Sequence, residues 1–263
     1  MNSLEVLLSP AEFVALKDRD LRETTCVVFD VLRATTSMVT ALANGAEAIV
    51  PVSEIAEAIR LRESRPEALL AGERDGLRIT TSLTGGLDFD LGNSPREFTQ
   101  SLVEGKTIIM TTTNGTRALR ACAHARHVLV GCFLNLQETA NWLLALDPQD
   151  VLLICSGTFE QAAYEDVLAA GAMCDLIWPA DSNALIADSA LMARDLFRFE
   201  KNDLFEALAR SRNGLRLRSR PELRDDVAFS AQLNSKSIAA GLDRDGAVRR
   251  VDQNFSFKKS LSV

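Results

Sequence analysis

The sequence predicts an α/β fold in which a largely parallel or mixed central sheet carries helices on both faces, and three observations lead there. Short apolar runs of strand character recur along the chain, each ending in a hydroxyl- or glycine-rich loop and followed by a segment of helical periodicity. Three of these junctions place polar or charged residues where the apolar run stops: 26–37, 106–119 and 151–159. The chain has 263 residues and is 47% hydrophobic, with no internal repeat or low-complexity linker, so one domain spanning residues 1–263 is expected.

In order, residues 3–8 read as an edge strand, and Ser9-Pro-Ala-Glu12 starts a helix with proline at its first position. A strand over 26–30 leads into a helix over 34–43, stopped by Asn44-Gly45 as a C-cap pair. Residues 48–52 form a short strand, and Ser53 caps a helix that spaces Ile55, Ile59 and Arg62 along one face. Leu69-Leu-Ala71 is a strand that ends in Gly72-Glu73-Arg74, and the hydroxyl- and glycine-rich stretch 80–92 is loop. The apolar run that opens 106–119 and the strands at 127–130 and 151–154 alternate with helices after Asn114 and over 135–146. From 162 to about 218 the pattern is nearly all helical, and 243–251 is a closing hairpin around Asp245-Gly246.

Composition narrows the function. The formal net charge of −7 excludes a polyanion-binding surface such as one for nucleic acid or an acidic membrane. An anionic ligand would therefore need local arginines or a metal. Five scattered cysteines without C-x-x-C spacing read as reduced core residues. No secretory leader or membrane span is apparent, so a cytoplasmic protein is expected. Self-association is left open.

Two strand ends stand out. After the apolar run that opens 106–119, Thr112, Thr113, Asn114, Gly115 and Thr116 lead into a helix, where unpaired backbone N–H groups and the helix dipole suit an anion, and Arg117 adds a fixed charge. After the strand at 26–30 come Asp30, Arg33 and the hydroxyls of Thr35, Thr36 and Ser37. Because Asp30 ends an apolar strand, its carboxylate needs a partner. Ligands of open α/β sheets sit beyond the carboxyl ends of the strands, so these loops are expected to converge on one crevice. Asp30, Glu73, Asp90 and the Glu165–Asp166 pair supply hard oxygen ligands that suit Mg²⁺, while Arg33, Arg74 and Arg117 can fork onto anionic oxygens. The arginine tract Arg210, Arg212, Arg216, Arg218, Arg220 and Arg224 lacks interleaved aromatics and reads as a solvated helical face. His124 and His127 belong to no catalytic arrangement and are given no role.

Six motifs in order, Asp30-Val-Leu-Arg-Ala-Thr-Thr36, Ala41-Leu-Ala-Asn-Gly-Ala46, Ala71-Gly-Glu-Arg74, Phe89-Asp-Leu-Gly-Asn-Ser-Pro95, Thr111-Thr-Thr-Asn-Gly-Thr-Arg117 and Glu165-Asp-Val-Leu168, resemble the 2-phosphosulfolactate phosphatase family. The resemblance implies a three-layer α/β/α fold and Mg²⁺-dependent hydrolysis of 2-phospho-3-sulfolactate to sulfolactate and phosphate, a step of coenzyme M biosynthesis. On that reading Asp30, Glu73 and Asp166 hold the metal and, with Arg33, form the catalytic group. Arg74, Asn93, Ser94, Thr112, Thr113, Asn114, Gly115, Thr116 and Arg117 bind the substrate, a small phosphorylated acid. Residues 80–85 read as an insertion, and Asn213-Gly-Leu-Arg-Leu217 resembles a His-Gly-Arg-Arg-Leu segment of the family. Direct attack by water and a phospho-Asp30 intermediate are both open. Two other functions compete with this one: a phosphatase of the same fold acting on another phosphorylated carboxylic acid, and a non-catalytic anion-binding module.

Overall fold

The computed structural model describes residues 1–179, 183–252, 255 and 257. Eleven strands form one mixed sheet: β1 (Ser3–Leu7), β2 (Thr24–Phe29), β3 (Ala48–Val52), β4 (Leu69–Arg74), β5 (Leu77–Arg78), β6 (Thr107–Thr111), β7 (His127–Gly131), β8 (Asp150–Cys155), β9 (Leu185–Ile186), β10 (Ala239–Leu242) and β11 (Val248–Val251). Their order is β5-β4-β6-β3-β11-β10-β7-β2-β8-β1-β9. The helices are α1 (Phe13–Leu16), α2 (Ala34–Ala43), α3 (Ile55–Ser64), α4 (Thr81–Thr84), α5 (Gln100–Val103), α6 (Gly115–Ala121), α7 (Leu136–Ala145), α8 (Tyr164–Ile177), α9 (Asp188–Glu200), α10 (Leu204–Ala209), α11 (Arg212–Arg218) and α12 (Asp225–Ser230). None of the described helices is long and apolar enough to cross a membrane.

Two parallel blocks make up the sheet, β4-β6-β3 and β7-β2-β8-β1-β9. The hairpin of β10 and β11 lies between them, antiparallel to both neighbours. Three successive antiparallel pairings mean that the blocks run in opposite senses. In a flat sheet their carboxyl ends would lie on opposite edges. Five strand-to-strand steps separate β6 from β2, and at roughly 20–25° of twist per step the blocks turn by about 100° relative to each other. That turn lets the ends of β2, β4 and β6 face one space.

Alternation along the strands builds the three layers. Val27 and Phe29 join Leu129 and Leu153 against Leu168, Ala172 and Met173 of α8. Cys26 and Val28 point the other way, into a cluster with Met38, Val39 and Leu42 of α2, Leu119 of α6 and Ile108 and Met110 of β6. Ile109 alternates onto a third cluster under α3, with Val52, Leu70 and Phe89. α2 is buried along nearly its whole length, because it packs on β7, β10 and β11 and is covered by the turn at 95–97 and by α6. Gly45, at φ +93°, ends α2, with the Ala46 amide donating back to the Ala41 carbonyl at 3.0 Å.

Most expected elements are present, with four corrections. β1 is not an edge strand, because the two-residue β9 pairs along its outer side. The stretch 80–92 contains α4 and a bridge from Leu91 to Ala71, so it is a pinned flap rather than an open loop. The helix after 53 takes Glu54 as its N-cap. The helical region 162–218 is interrupted by β9, and residues 180–182 within it lie outside the described residues.

Candidate active site

The ends of β2, β4 and β6 border a cleft enclosing about 660 Å³, counting the solvent open at its mouth. Its walls include Asp30, Arg33, Glu73, Asn93, Thr112, Thr113 and Asn114, all seven anticipated from sequence. Alternation explains Asp30: it continues the parity of Cys26 and Val28, which puts its side chain toward α2 and α6. Its Oδ1 accepts the Ala34 amide at 3.1 Å, and Thr35 Oγ1 bridges its backbone, accepting from its N–H and donating to its carbonyl, both at 2.9 Å. Gly115 packs against this carboxyl so closely that a Cβ there would lie 2.7 Å from Oδ2 and 2.6 Å from the Ala34 methyl.

Glu73 braces the neighbouring loop. Its Oε1 accepts from the Thr113 amide at 2.9 Å and hydroxyl at 2.8 Å, and its Oε2 accepts from the Gly76 amide at 2.7 Å. Thr116 donates its hydroxyl to the Thr112 carbonyl at 2.9 Å, which closes the first turn of α6. Asn114 is the N-cap of that helix but makes no side-chain capping bond, so its amide stays with the cleft wall. Asn93 Oδ1, in the same wall, is buried without a partner among the described residues.

Behind Asp30 lie two more acids from the start of α8. Asp166 accepts the Val31 amide on Oδ1 at 2.8 Å and the Gly157 amide on Oδ2 at 3.0 Å, tying the loops after β2 and β8 together. Glu165 Oε1 accepts from Asn213 Nδ2 at 2.6 Å. Burial, more than repulsion between the carboxyls, controls their protonation. Burial, reinforced by the charges of Glu73 and Glu165, pushes Asp30 up to about 7 against the opposing Ala34 amide and Arg33. Burial, then Asp30 and Glu165, holds Asp166 well above the usual carboxylate range, and burial raises Glu165.

Arg33 reaches the cleft from a buried position. Its Nη1 donates to Asp226 Oδ2 at 2.8 Å and its Nη2 to the Gly76 carbonyl at 2.7 Å. Ser94 stands behind this pair, donating to Asp226 Oδ1 at 2.6 Å. Two expected arginines are not brought to the cleft. Arg74 follows Glu73 on β4 and so points to the opposite face, toward the Ser53 carbonyl and Thr111 Oγ1. Arg117 pairs with Glu160 on the exposed rim. Asp90 also lies elsewhere, accepting the Leu70 amide at 2.7 Å.

Reading the arginine tract as a solvated face missed part of the site. Arg216 and Arg220 line the cleft with Asn213, Thr158 and Asp75. Gly214 permits this by seating α11 against α10: a Cβ there would lie 1.9 Å from the Leu208 carbonyl oxygen. A short polar helix gives no local sign of such a docking. Asp226, fully buried and essential to the placement of Arg33, was also not singled out.

Hard oxygen donors are present, but among the described residues no group of three or more His, Cys, Asp or Glu side chains is gathered so as to hold a metal. Asp30, Glu73 and Asp166 are therefore not a preformed cage. Both oxygens of Glu73 and Asp166 already accept amides, which leaves Asp30 Oδ2 as the oxygen of the three without a hydrogen bond among the described residues. Mg²⁺ commonly binds through one or two carboxylates, completing its shell with water and substrate phosphate, and this donor set fits that mode.

Residues 13–244 match the family model described as 2-phosphosulpholactate phosphatase. A probable 2-phosphosulfolactate phosphatase of Caldanaerobacter subterraneus subsp. tengcongensis is 37% identical over 239 residues, covering 89% of this chain and 94% of the relative. Proteins of the same description from Carboxydothermus hydrogenoformans, 40% identical over 88% of this chain and 89% of the relative, and Symbiobacterium thermophilum, 39% identical over 81% and 88%, agree. Similarity of this extent, running through every strand that borders the cleft, shows that the chain belongs to the 2-phosphosulpholactate phosphatase family.

Proposed function

We propose that this protein is a Mg²⁺-dependent phosphatase that hydrolyses 2-phospho-3-sulfolactate to 3-sulfolactate and phosphate, in a coenzyme M-type biosynthesis. The observation that carries the reading is the meeting, in one cleft, of a buried carboxyl of raised pKa, a threonine-rich loop at a strand end and a wall of arginines. The names of the relatives support the substrate. Five buried free cysteines support a reducing compartment such as the cytoplasm.

Thr112, Thr113 and Asn114 bind the phosphoryl group, with Glu73 fixing the loop so that its donors need no reorganisation. Asp30 would hold the Mg²⁺, with water and substrate oxygens completing its shell, and Glu73 and Asp166 fix the neighbouring loops through the amides they accept. Bound Mg²⁺ would neutralise phosphate oxygens and offset the repulsion between acids and anion. Arg33, fixed by Asp226, orients the ester. Phosphoryl transfer depends chiefly on such positioning and charge stabilisation.

The test is phosphate release from 2-phospho-3-sulfolactate, phospholactate, phosphoglycolate and para-nitrophenyl phosphate, with Mg²⁺ and with EDTA, in wild type and Asp30→Asn. Metal-dependent release favouring the sulfonate, reduced at least about 100-fold in the variant, is the expected result. Release only from the other esters would discard the substrate, and binding without release from any would leave an anion-binding module.

A further inference from the structure

Charge is paired unevenly among the three arginines of the cleft. Arg33 is matched by Asp226 in a pair whose side chains are 3% and 0% exposed. Arg216 reaches Asp75 at 3.4 Å on the rim. Among the described residues Arg220 makes no ion pair, and its buried Nη1 has no hydrogen-bond partner. A guanidinium nitrogen withdrawn from water and left unpaired is costly, and an anionic group bound in the cleft would supply the missing partner.

Its position narrows what that ligand group is. An ideal Cβ on Gly76 would lie 3.8 Å from Arg220 Nη1 and 3.9 Å from Arg33 Nη2, so the two guanidinium tips flank the same glycine. Asp226 compensates one of these like charges and nothing described compensates the other. The carboxylate and the hydroxyl-rich loop belong to the ends of β2 and β6, whereas Arg220 is supplied by the turn after α11. The cleft thus has a phosphoryl region and, joined to it through Gly76 and Glu73, a cationic wall on the side of α11.

We propose that Arg220 binds the second acidic group of a bifunctional phosphate ester, its carboxylate or its sulfonate, and thereby sets the preference for phosphorylated acids over simple phosphate monoesters. This rests on reading the cleft as a phosphate-ester site. Arginine suits the task because its planar fork matches two oxygens of either group at once.

The experiment compares wild type, Arg220→Gln and Arg220→Lys on 2-phospho-3-sulfolactate, 2-phospholactate and para-nitrophenyl phosphate, with thermal unfolding of each variant alongside. Arg220→Gln should lower kcat/KM for the sulfonate ester by about 10- to 100-fold, mainly through KM, as expected for a lost charge-assisted contact. The loss on para-nitrophenyl phosphate should be at least about tenfold smaller, with Arg220→Lys intermediate. Equal losses on the sulfonate ester and 2-phospholactate assign Arg220 to the carboxylate, and a loss on the sulfonate ester alone assigns it to the sulfonate. Equal losses on all three esters, or none, would overturn the proposal. Should Arg220→Gln not fold, the same ratios in Arg220→Lys decide. If wild type hydrolyses none of the esters, the phosphatase reading fails by itself, and calorimetric binding of 3-sulfolactate decides on Arg220: about tenfold weaker binding in the variant upholds its role, and unchanged binding refutes it.

Discussion

Replacing Asp30 by Asn should stabilise the metal-free protein at alkaline pH and leave it nearly unchanged at acid pH. Burial takes the Asp30 carboxyl from 3.8 in the unfolded chain to about 7 in the fold, and at about 1.4 kcal/mol per pH unit the charged form opposes folding by at most about 4 kcal/mol. The sign follows from proton counting. Between these two values the folded protein holds the proton and the unfolded chain does not, so stability is complete below about pH 4 and is lost as pH rises through about 7. Asn keeps an oxygen for the Ala34 amide and carries no charge, while Glu73, Glu165 and Asp166 relax when the repulsion is removed, so a gain of about 2 kcal/mol at pH 8 is expected. Urea denaturation in EDTA at pH 4.5 and pH 8, for wild type and variant, measures it. Added Mg²⁺ should narrow the gap by stabilising only the wild type. A variant destabilised equally at both pH values would refute the argument, because the carboxyl would then be a favourable structural partner and not a charge held against its solvation.

Three further outcomes follow from the surroundings of the cleft. Asp226→Ala strips the buried partner from Arg33, and leaving that cation uncompensated should cost about 3–5 kcal/mol by urea denaturation; a cost below about 1 kcal/mol would mean that Arg33 finds another partner. Gly115→Ala forces a methyl to within 2.7 Å of Asp30 Oδ2, so it should cost about 1–3 kcal/mol by the same measurement and reduce phosphate release; a fully active, unshifted variant would contradict the close approach. His127 is pushed down to about 4 from 6.5 by burial and Arg126. Its unfolded form therefore binds the extra proton, so wild type should lose about 1 kcal/mol relative to His127→Gln between pH 7 and pH 5, allowing for solvent screening. An identical pH dependence in the two proteins would exclude this contribution.

Much of the fold was legible because its signals are local. Cys26, Val27, Val28 and Phe29 form an apolar run too short for a helix, and Asn44-Gly45 stops α2 by a conformation that glycine adopts freely. Asp30 was legible for a similar reason, since a carboxylate at the end of such a run must be paired, buried at a cost or functional. One misplacement was avoidable from the sequence: Glu73 and Arg74 are consecutive on a strand, so they cannot both face the cleft. The opposed sense of the two parallel blocks was not legible, because it depends on β10 and β11, from the far end of the chain, entering between β3 and β7.

The cationic wall was hidden by that same long-range logic. Arg216, Arg218 and Arg220 alternate in a tract that any helical projection would solvate, and only the contact of Gly214 with α10 fixes which of them turns inward. Arg218 is exposed while its neighbours at two residues' distance line the cleft. Acids at strand ends identify themselves, because the apolar run that carries them makes their cost visible. Arginines on a short polar helix and the turn after it do not, because they cost nothing until tertiary packing takes their water away. A site built from both kinds of residue is therefore read from sequence one half at a time, and the half that stays hidden is the one assigned here to choosing the substrate.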